Sequence, residues 1–382
     1  MRGNREAKTV LAQNYITGAN WKTDDDKGFS LAREAAVSGS SDAMYLLSQC
    51  LILGIGTTPD ISQGMDWLMK SASNNCEIAQ YCLGKDYLDG TNITKNVDQG
   101  FFWILRSAEQ GFGPAQARLG KLYEDGIGTE SNSVKAVDWY KKAAEVGDPD
   151  GLYSLGWCYL KGMVVEKDEV KGHSYLERAA DAGHIDAEIF VGIGLRHGVM
   201  GFRKDENKAF LFFQSAASRN NKDGYSFLGE CYEWGRGCDQ NSKLAIINYI
   251  KAGSLGETEK WYYAGLCLST GKMASGAQVE KNYEMAEDLL QMAAEKGNTK
   301  AMSYLGRSYF QGRWVQEDPA KSLQYMQKAA ELKDALGMFG LGMYYYFGSC
   351  GLNQDVSRGI SLIKEAAKMG HKPAIQFLSE HN

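Results

Sequence analysis

Cysteine and histidine are the residues of this sequence that could bind a metal, form disulfides or act as a nucleophile with its base. The chain has 382 residues, with eight cysteines and five histidines. No two histidines stand at a ligand spacing from a cysteine or carboxylate that a zinc site would need. We therefore predict no metal site and no cofactor.

Motifs for catalysis are equally scarce. Gly192-Ile193-Gly194 and Gly340-Leu341-Gly342 imitate part of a phosphate-binding loop, but neither follows a predicted strand, and a lone GxG is a weak signal. The sequence contains no nucleophile elbow, P-loop or paired acid motif that would bring acid, base and nucleophile together. We predict that the protein has no catalytic residues and is not an enzyme.

Composition and charge limit the classes of molecule that this protein could bind. Lys and Arg number 42 against 47 for Asp and Glu, which gives a net charge of -5, and no block of Lys or Arg is concentrated anywhere. Nucleic acid is an unsuitable ligand, because phosphate neutralisation dominates that affinity. The N-terminus is polar and lacks the apolar segment of a signal peptide. We expect a cytoplasmic protein, or a periplasmic one if a signal peptide has been removed.

A repeat of mostly 36 residues explains the high glycine content. One column of the repeat follows a leucine or its equivalent: Ser48, Gly84, Gly120, Gly156, Gly192, Gly229, Gly265, Gly306 and Gly342. A second glycine stands six residues after each member, from Gly54 to Gly348. The segment up to this second glycine is rich in Tyr, Leu, Cys and Met, and we interpret it as a short helix, A.

A second helix, B, begins at a column of Asp and Asn residues that can accept hydrogen bonds from the free N–H groups of a first helical turn. The column is Asp24, Asp60, Asn96, Asn132, Asp168, Asp205, Asn241, Asn282, Asp318 and Asp355. Helix B carries apolar pairs such as Trp103-Ile104 and ends on small pairs such as Ala143-Ala144. Glycines such as Gly147 follow, where a helix ends with positive φ.

These columns predict one domain over residues 1–382, an all-α solenoid of about ten helix-turn-helix repeats with a C-terminal capping helix. The predicted repeats are approximately 1–39, 40–75, 76–111, 112–147, 148–183, 184–220, 221–256, 257–297, 298–333 and 334–370, with the cap at 371–382. Extra residues near Gly201, Ala274 and Cys350 are expected in the loops between A and B.

The segment from Ala335 to Gln354 carries no charge, which raises the question of a membrane span. Its glycines and its match to the other repeats favour a soluble helix.

The runs from Ala115 to Tyr123 and from Lys135 to Ala144, with Gly126-Ile127-Gly128 between them, resemble the Sel-1-like repeat, a relative of the tetratricopeptide repeat. The resemblance covers the whole chain and departs from the pattern at Ala12 and at Ala252-Gly253. It implies a right-handed superhelix whose concave groove binds a protein or peptide, mostly in bacteria.

The resemblance also bears on the cysteines. Cysteine-rich members of the family have one disulfide per repeat, whereas here the small pair is Ala-Ala instead of Ala-Cys. We therefore expect no disulfide framework, although Cys231 and Cys238 come nearest to an intra-repeat pair. Four cysteines share one column of helix A and are interpreted as buried packing residues: Cys50, Cys158, Cys231 and Cys267.

By this resemblance the leading functional prediction is a protein-binding adaptor, in its specific form a bacterial immunity protein that neutralises a secreted toxin such as a type VI effector. The alternative is a scaffold in envelope biogenesis, secretion or signalling. A hydrolase resembling the cysteine-rich relatives is the competing class, and the missing motifs count against it.

Residues that the repeat itself does not require are the candidates for partner binding. The position after the Leu-Gly column varies from Lys to Glu to Trp, which argues against obligatory burial, and the residue four earlier shares its helix face. The predicted partner-binding residues are Tyr81, Tyr153, Trp157, Ile189, Tyr262, Leu266, Phe339 and Met343. The alternative is that this face packs against the next repeat. Trp234 and Trp314 lie in or beside loops, where binding residues often occur, but we interpret them as ordinary loop packing.

Overall fold

The protein is described by a computed structural model that covers residues 2–18 and 22–381. Parts of the first predicted repeat, Met1 and residues 19–21, and Asn382 of the predicted cap lie outside these described residues. Within the described ranges the regular secondary structure is α-helical, apart from an isolated antiparallel bridge between Lys272 and Gln278. Loops connect the helices. The all-α repeat fold expected from the columns is confirmed.

The helices alternate between A and B types, with odd numbers for A and even numbers for B. In chain order they are α1 (Arg2–Thr17), α2 (Asp25–Val37), α3 (Ser41–Leu53), α4 (Ile61–Ser73), α5 (Glu77–Asp89), α6 (Val97–Glu109), α7 (Gly113–Asp125), α8 (Ser133–Glu145), α9 (Pro149–Lys161), α10 (Glu169–Asp181), α11 (Ile185–His197), α12 (Glu206–Ser218), α13 (Lys222–Trp234), α14 (Ser242–Ser254), α15 (Thr258–Thr270), α16 (Tyr283–Glu295), α17 (Thr299–Gln311), α18 (Pro319–Glu331), α19 (Ala335–Phe347), α20 (Val356–Lys368) and α21 (Lys372–Glu380).

Their contacts divide the chain into two compact units, unit 1 at residues 1–187 and unit 2 at residues 188–382. In unit 1 the buried core runs from Ala12, Leu47 and Leu83 to Leu119 and Leu155. In unit 2 a corresponding series of buried side chains includes Phe213, Tyr249, Leu290, Leu305 and Ile363. Within each unit, the repeats therefore bury their apolar side chains between the helices of one pair and of neighbouring pairs, as expected of stacked repeats.

The predicted Asp and Asn column caps every B helix. In all ten members the side chain accepts a hydrogen bond from the backbone N–H three residues later, as Asn96 does from Gln99 at 3.1 Å and Asp205 from Lys208 at 2.9 Å. Because the first-turn N–H groups of a helix lack intrahelical partners, this column fixes where each B helix starts.

The two glycine columns mark helix ends. Gly126 closes α7 in the left-handed region at φ 68°, and Gly147 follows α8 at φ 80°. Where the second position is not glycine, Asn75, Asn220 and Lys333 adopt φ of 62°, 61° and 58°. The backbone turn is therefore kept even where the glycine is lost.

Small residues let the helices approach closely, as the columns predicted. A Cβ built on Gly120 would lie 2.6 Å from the ring of Tyr140, and one on Gly224 would lie 2.6 Å from the backbone nitrogen of Ala217. Such distances are shorter than van der Waals contact, so larger residues at these sites would push neighbouring helices apart.

The extra residues fall between A and B helices, as expected. They lengthen the loops at 198–205, 271–282 and 348–355.

The uncharged segment from Ala335 to Gln354 contains α19 and most of the loop that follows it. Among the residues that the structure describes, no helix combines the length and the apolarity that crossing a bilayer requires.

Candidate protein-binding surface

All eight predicted partner-binding residues lie on A helices and are partly exposed. We call this set the A-helix face: Tyr81 of α5, Tyr153 and Trp157 of α9, Ile189 of α11, Tyr262 and Leu266 of α15, and Phe339 and Met343 of α19. Neighbours on the same helices, such as Leu83 and Leu155, are buried. The face is therefore open to solvent in part, and its role in binding stays a prediction.

In unit 1 the aromatic side chains of this face also contact the following repeat. The ring of Tyr81 lies 5.5 Å from that of Phe112, edge to face, and Tyr153 stacks on His184 at 4.0 Å. Trp157 meets Tyr153 edge to face at 6.2 Å. Tyr81 and Tyr153 thus pack against the next repeat on one side, whereas Trp157 contacts Tyr153 of its own helix, and part of each of the three side chains remains exposed.

His184 combines a capping role with the aromatic stack. Its Nδ1 accepts a hydrogen bond from the backbone N–H of Ala187 at 3.2 Å, at the start of α11. Its Nε2 lies 3.5 Å from a carboxylate oxygen of Asp150. His184 therefore caps the start of α11 and stacks on the face of Tyr153 at the same time.

Two adjoining clefts lie along the A helices of unit 1. The first has a volume of about 420 Å³ and is lined by Tyr81, Lys85, Arg118 and Tyr153 among others. The second, of about 440 Å³, is lined by Trp157, Lys161 and Glu124, and it shares Lys121, Tyr153 and Ser154 with the first. Three predicted residues, Tyr81, Tyr153 and Trp157, therefore border one continuous recessed surface.

Cations lie beside the aromatic rings of this recessed surface. The ammonium of Lys85 lies 5.7 Å from the ring centre of Tyr81, and that of Lys161 lies 5.4 Å from the ring of Trp157. Neither lysine forms an ion pair with another residue in the described part of the chain. Burial raises the pKa of the Tyr81 hydroxyl, and the nearby Arg118 opposes that rise. Rings that adjoin lysines of this kind offer both apolar area and charge to a partner.

In unit 2 the aromatic part of the face continues into a cluster. The rings of Tyr262 and Tyr304 lie 6.5 Å apart, and Tyr304 stacks on Trp314 at 5.9 Å. Further along, Phe339 lies 5.0 Å from His371, and both Phe339 and Met343 pack against the core beneath α21. Of the two loop tryptophans, Trp314 joins this cluster, whereas Trp234 ends α13 and is exposed.

A network of ion pairs that was not predicted from the sequence includes one residue of the column that follows the Leu-Gly position. Glu230 follows the Leu-Gly position of α13, and its carboxylate pairs with Arg196 at 2.8 Å and with Lys260 at 3.1 Å. The guanidinium of Arg196 is buried and lies over the rings of Phe213 and Phe227. Arg196, Glu230 and Lys260 come from successive A helices, so only the repeat alignment could have indicated their proximity.

The network lowers the pKa of Glu230. Burial would raise this pKa, but the ion pairs with Lys260 and Arg196 outweigh that effect. Glu230 is therefore charged at neutral pH and neutralises Arg196, which would otherwise be a buried, unpaired cation.

The cysteines lie where the packing interpretation placed them. Cys50, Cys158, Cys231 and Cys267 are buried, and burial raises the pKa of the Cys158 thiol to about 11. All eight cysteines are free thiols. No group of three or more His, Cys, Asp or Glu side chains in the described ranges is arranged to hold a metal ion.

The paired short helices, their shared caps and their stacked cores define an α-solenoid built from small helical repeats. The chain belongs to the Sel1 repeat family, whose repeat matches residues 41–76, 78–112, 113–148, 149–184, 185–221, 222–257, 262–298, 299–334 and 335–371. Repeats of this family are typical of scaffolds for protein–protein interaction.

Solved structures with the same fold include a protective antigen of uropathogenic Escherichia coli strains, with a TM-score of 0.63 and 26% identity. That similarity covers 98% of this chain and 78% of the antigen. A Sel1 repeat protein from Oxalobacter formigenes is also similar, with a TM-score of 0.54, 27% identity and coverage of 83% of this chain and 90% of that protein.

Curated relatives match part of the chain. DAP3-binding cell death enhancer 1 of Rattus norvegicus is 31% identical over 174 residues, which are 46% of this chain and 33% of the relative. A chitin synthase regulator of Saccharomyces cerevisiae is 28% identical over 196 residues, which are 50% of this chain and 28% of the relative. The chain thus spans a third or less of the length of these relatives.

Proposed function

We propose that this protein is a non-catalytic scaffold that binds a protein partner through the A-helix face. The observation that carries the proposal is the partial exposure of all eight residues on a helix side whose neighbouring positions are buried. Large apolar and aromatic side chains at positions that packing does not require are enriched at protein interfaces.

The strongest part of the proposed surface lies in unit 1. There Tyr81, Tyr153 and Trp157 border two adjoining clefts, and Lys85 and Lys161 lie beside the rings. Tyr and Trp bury large area with few rotatable bonds, so they serve as anchors in protein interfaces. The lysines add a charged rim that would favour partners with carboxylates nearby.

A pair of alanine substitutions tests this surface. Tyr153→Ala with Trp157→Ala should weaken recovery of a native partner by about tenfold or more, since aromatic residues at the centre of an interface are often hot spots that cost about 2 kcal/mol or more when truncated. The measurement is affinity purification from the source cells, quantified by mass spectrometry. Trp139→Ala is the matched control, because Trp139 is also a partly exposed tryptophan of unit 1 that lies under a lysine, but it belongs to the B helix α8. Equal recovery by both variants would contradict the proposal.

In its narrower form the proposal makes the partner a secreted toxin of the type VI class, with this chain as its immunity protein. The support for this form is the family resemblance alone. Its test is co-expression with the products of neighbouring genes in a heterologous host. Rescue from toxicity by the wild-type chain, and loss of that rescue with the Tyr153 and Trp157 variant, is the expected result, whereas no toxic neighbour would favour a scaffold in envelope biogenesis, secretion or signalling.

A further inference from the structure

The longest insertion in the repeats forms an ordered loop in unit 2. Residues 271–282 connect α15 to α16, and they contain the antiparallel bridge between Lys272 and Gln278. Met273 donates its backbone N–H to Ala277 at 3.0 Å, and Val279 donates to Gly271 at 3.0 Å. The insertion thus has a small hairpin of its own.

A buried carboxylate holds this loop in place. Glu233 is 2% exposed and accepts hydrogen bonds from the hydroxyls of Tyr249 at 2.7 Å and Tyr263 at 2.6 Å. It also accepts one from the backbone N–H of Ser275 at 3.1 Å, inside the loop. The hydroxyl of Tyr263 accepts a further bond from the N–H of Ala274 at 2.8 Å. Charge-assisted hydrogen bonds in a buried site are strong, so the loop is fixed to the body of unit 2.

The fixed loop forms one wall of an apolar groove. The groove has a volume of about 480 Å³, and its apolar lining is Ile246, Ile247, Ile250, Leu268, Val279 and Met285. Ile247 is 45% exposed and Met285 is 42% exposed. Such side chains stay in contact with water unless another molecule covers them.

The rim of the groove carries a charge pattern of its own. Lys243 and Lys281 line it and are exposed, and neither forms an ion pair in the described parts of the chain. One carboxylate, that of Glu280, also lines the rim. The two ammonium groups therefore exceed the carboxylates, and this excess is complementary to an acidic segment.

We propose that this groove is a second binding site, separate from the A-helix face, for a partner segment that presents aliphatic side chains flanked by an acidic residue. The aliphatic side chains would cover Ile247 and Met285, and the acidic residue would pair with Lys243 or Lys281. The insertion and its anchor at Glu233 supply the fixed wall that such a segment needs. Preorganisation of this kind removes the cost of ordering a loop on binding.

The probe for this site is a phage-displayed library of random linear peptides, selected on the immobilised full chain. Enriched peptides are synthesised, and their affinities for variants are measured by fluorescence anisotropy. Ile247→Asp should weaken binding by about tenfold or more, because it places a carboxylate in the apolar contact and competes with the acidic residue of the partner for Lys243. Met285→Asp is a second variant with the same expectation. Both sites are exposed, so the fold should persist, and circular dichroism checks this.

Leu211→Asp is the matched control. Leu211 occupies in α12 the position that Ile247 occupies in α14, and it is 59% exposed. The loop beside α12, residues 235–241, has no insertion. Leu211→Asp should leave peptide affinity unchanged, which separates the groove from a general effect of a new negative charge.

The lysines provide the test of partner chemistry. Enriched peptides should contain an acidic residue. The double variant Lys243→Glu with Lys281→Glu should lower the affinity of these peptides by about tenfold at low salt and by less at high salt. Peptides that bind Ile247→Asp as well as the wild type would overturn the proposal, as would enriched peptides without acidic residues. Self-association that Ile247→Asp abolishes would assign the groove to a second copy of the chain and would also overturn it. None of these outcomes depends on Tyr153 or Trp157.

Discussion

At the scale of single residues, side chains on one A-helix column make two different kinds of contact. Trp157 and Leu266 leave part of their surface to solvent, whereas Glu230 neutralises a buried arginine. The repeat fixes the position of this side chain on helix A, whereas the type of residue at that position varies. Partly exposed apolar side chains and a stabilising charged side chain therefore share one column, and only their contacts distinguish them.

The Glu230 network gives a pH prediction. The pKa of Glu230 lies below its ordinary value in the folded protein, so the stabilising contribution is complete above the unfolded value, near 4.5, and is lost as the pH falls through the folded value. Glu230→Gln should lower the free energy of unfolding at neutral pH by about 1–3 kcal/mol, because Arg196 loses its partner. Urea unfolding at neutral and acidic pH measures this.

The difference between wild type and Glu230→Gln should shrink as the solution becomes more acidic than about pH 4. Lys251→Gln, which removes an exposed charge from the same unit without breaking an ion pair of the described residues, serves as the control and should have little effect. A difference that stays constant across the whole pH range would show that Glu230 acts through packing and not through charge.

At the scale of elements, the B helices owe their starting points to the Asx caps. Asn96→Ala should lower the free energy of unfolding by about 1 kcal/mol, because the N–H of Gln99 loses its acceptor. Asn96→Asp keeps the acceptor and should stay within about 0.5 kcal/mol of the wild type. Thermal or urea unfolding compares the three proteins, and equal stability of the Ala and Asp variants would contradict a capping role.

Much of this element-level structure could be predicted from the sequence, because the columns are local. Gly126 marks a helix end through its backbone conformation and Asn132 marks a helix start through its side-chain cap, and both predictions are confirmed. The inserted loop could be placed at residues near Ala274 but not described. Its conformation depends on Glu233, which accepts a hydrogen bond from Ser275 and lies 42 residues from it in the chain.

The candidate face could be listed from the sequence, but its exposure could not be derived. The alignment of the repeats shows that the residue type at a position varies. The burial of the Tyr153 side chain, however, depends on the ring of His184 from the following repeat. The charges beside the face, such as Lys161 over Trp157, require side-chain geometry that spacing alone does not contain.

At the scale of the whole molecule, stability should be a sum of neighbouring repeats. Deleting residues 372–382 removes Ala374 and Phe377, which pack against Met338 and Ile363. Hydrogen exchange should then rise in α19 and α20 while α13 to α16 keep their protection. Ile375→Ala, at an exposed position of α21, is the control and should change little. Uniform loss of protection throughout unit 2 would contradict repeat-by-repeat stability.

Each unit also contributes its own surface. Unit 1 offers the recessed face around Tyr153 and Trp157, and unit 2 offers the aromatic cluster at Tyr262 and the groove beside the inserted loop. Because these surfaces belong to different residues, substitutions in one should leave binding at another unchanged.

Photocrosslinking in cells is the most direct test of whether the A-helix face binds a protein partner. A benzophenone amino acid is placed at position 157 or, as the control, at position 139, and the protein is irradiated in its native cells. We expect a discrete partner adduct from position 157 and none from position 139. Adducts of equal yield from both positions, or an adduct from position 139 alone, would contradict this expectation.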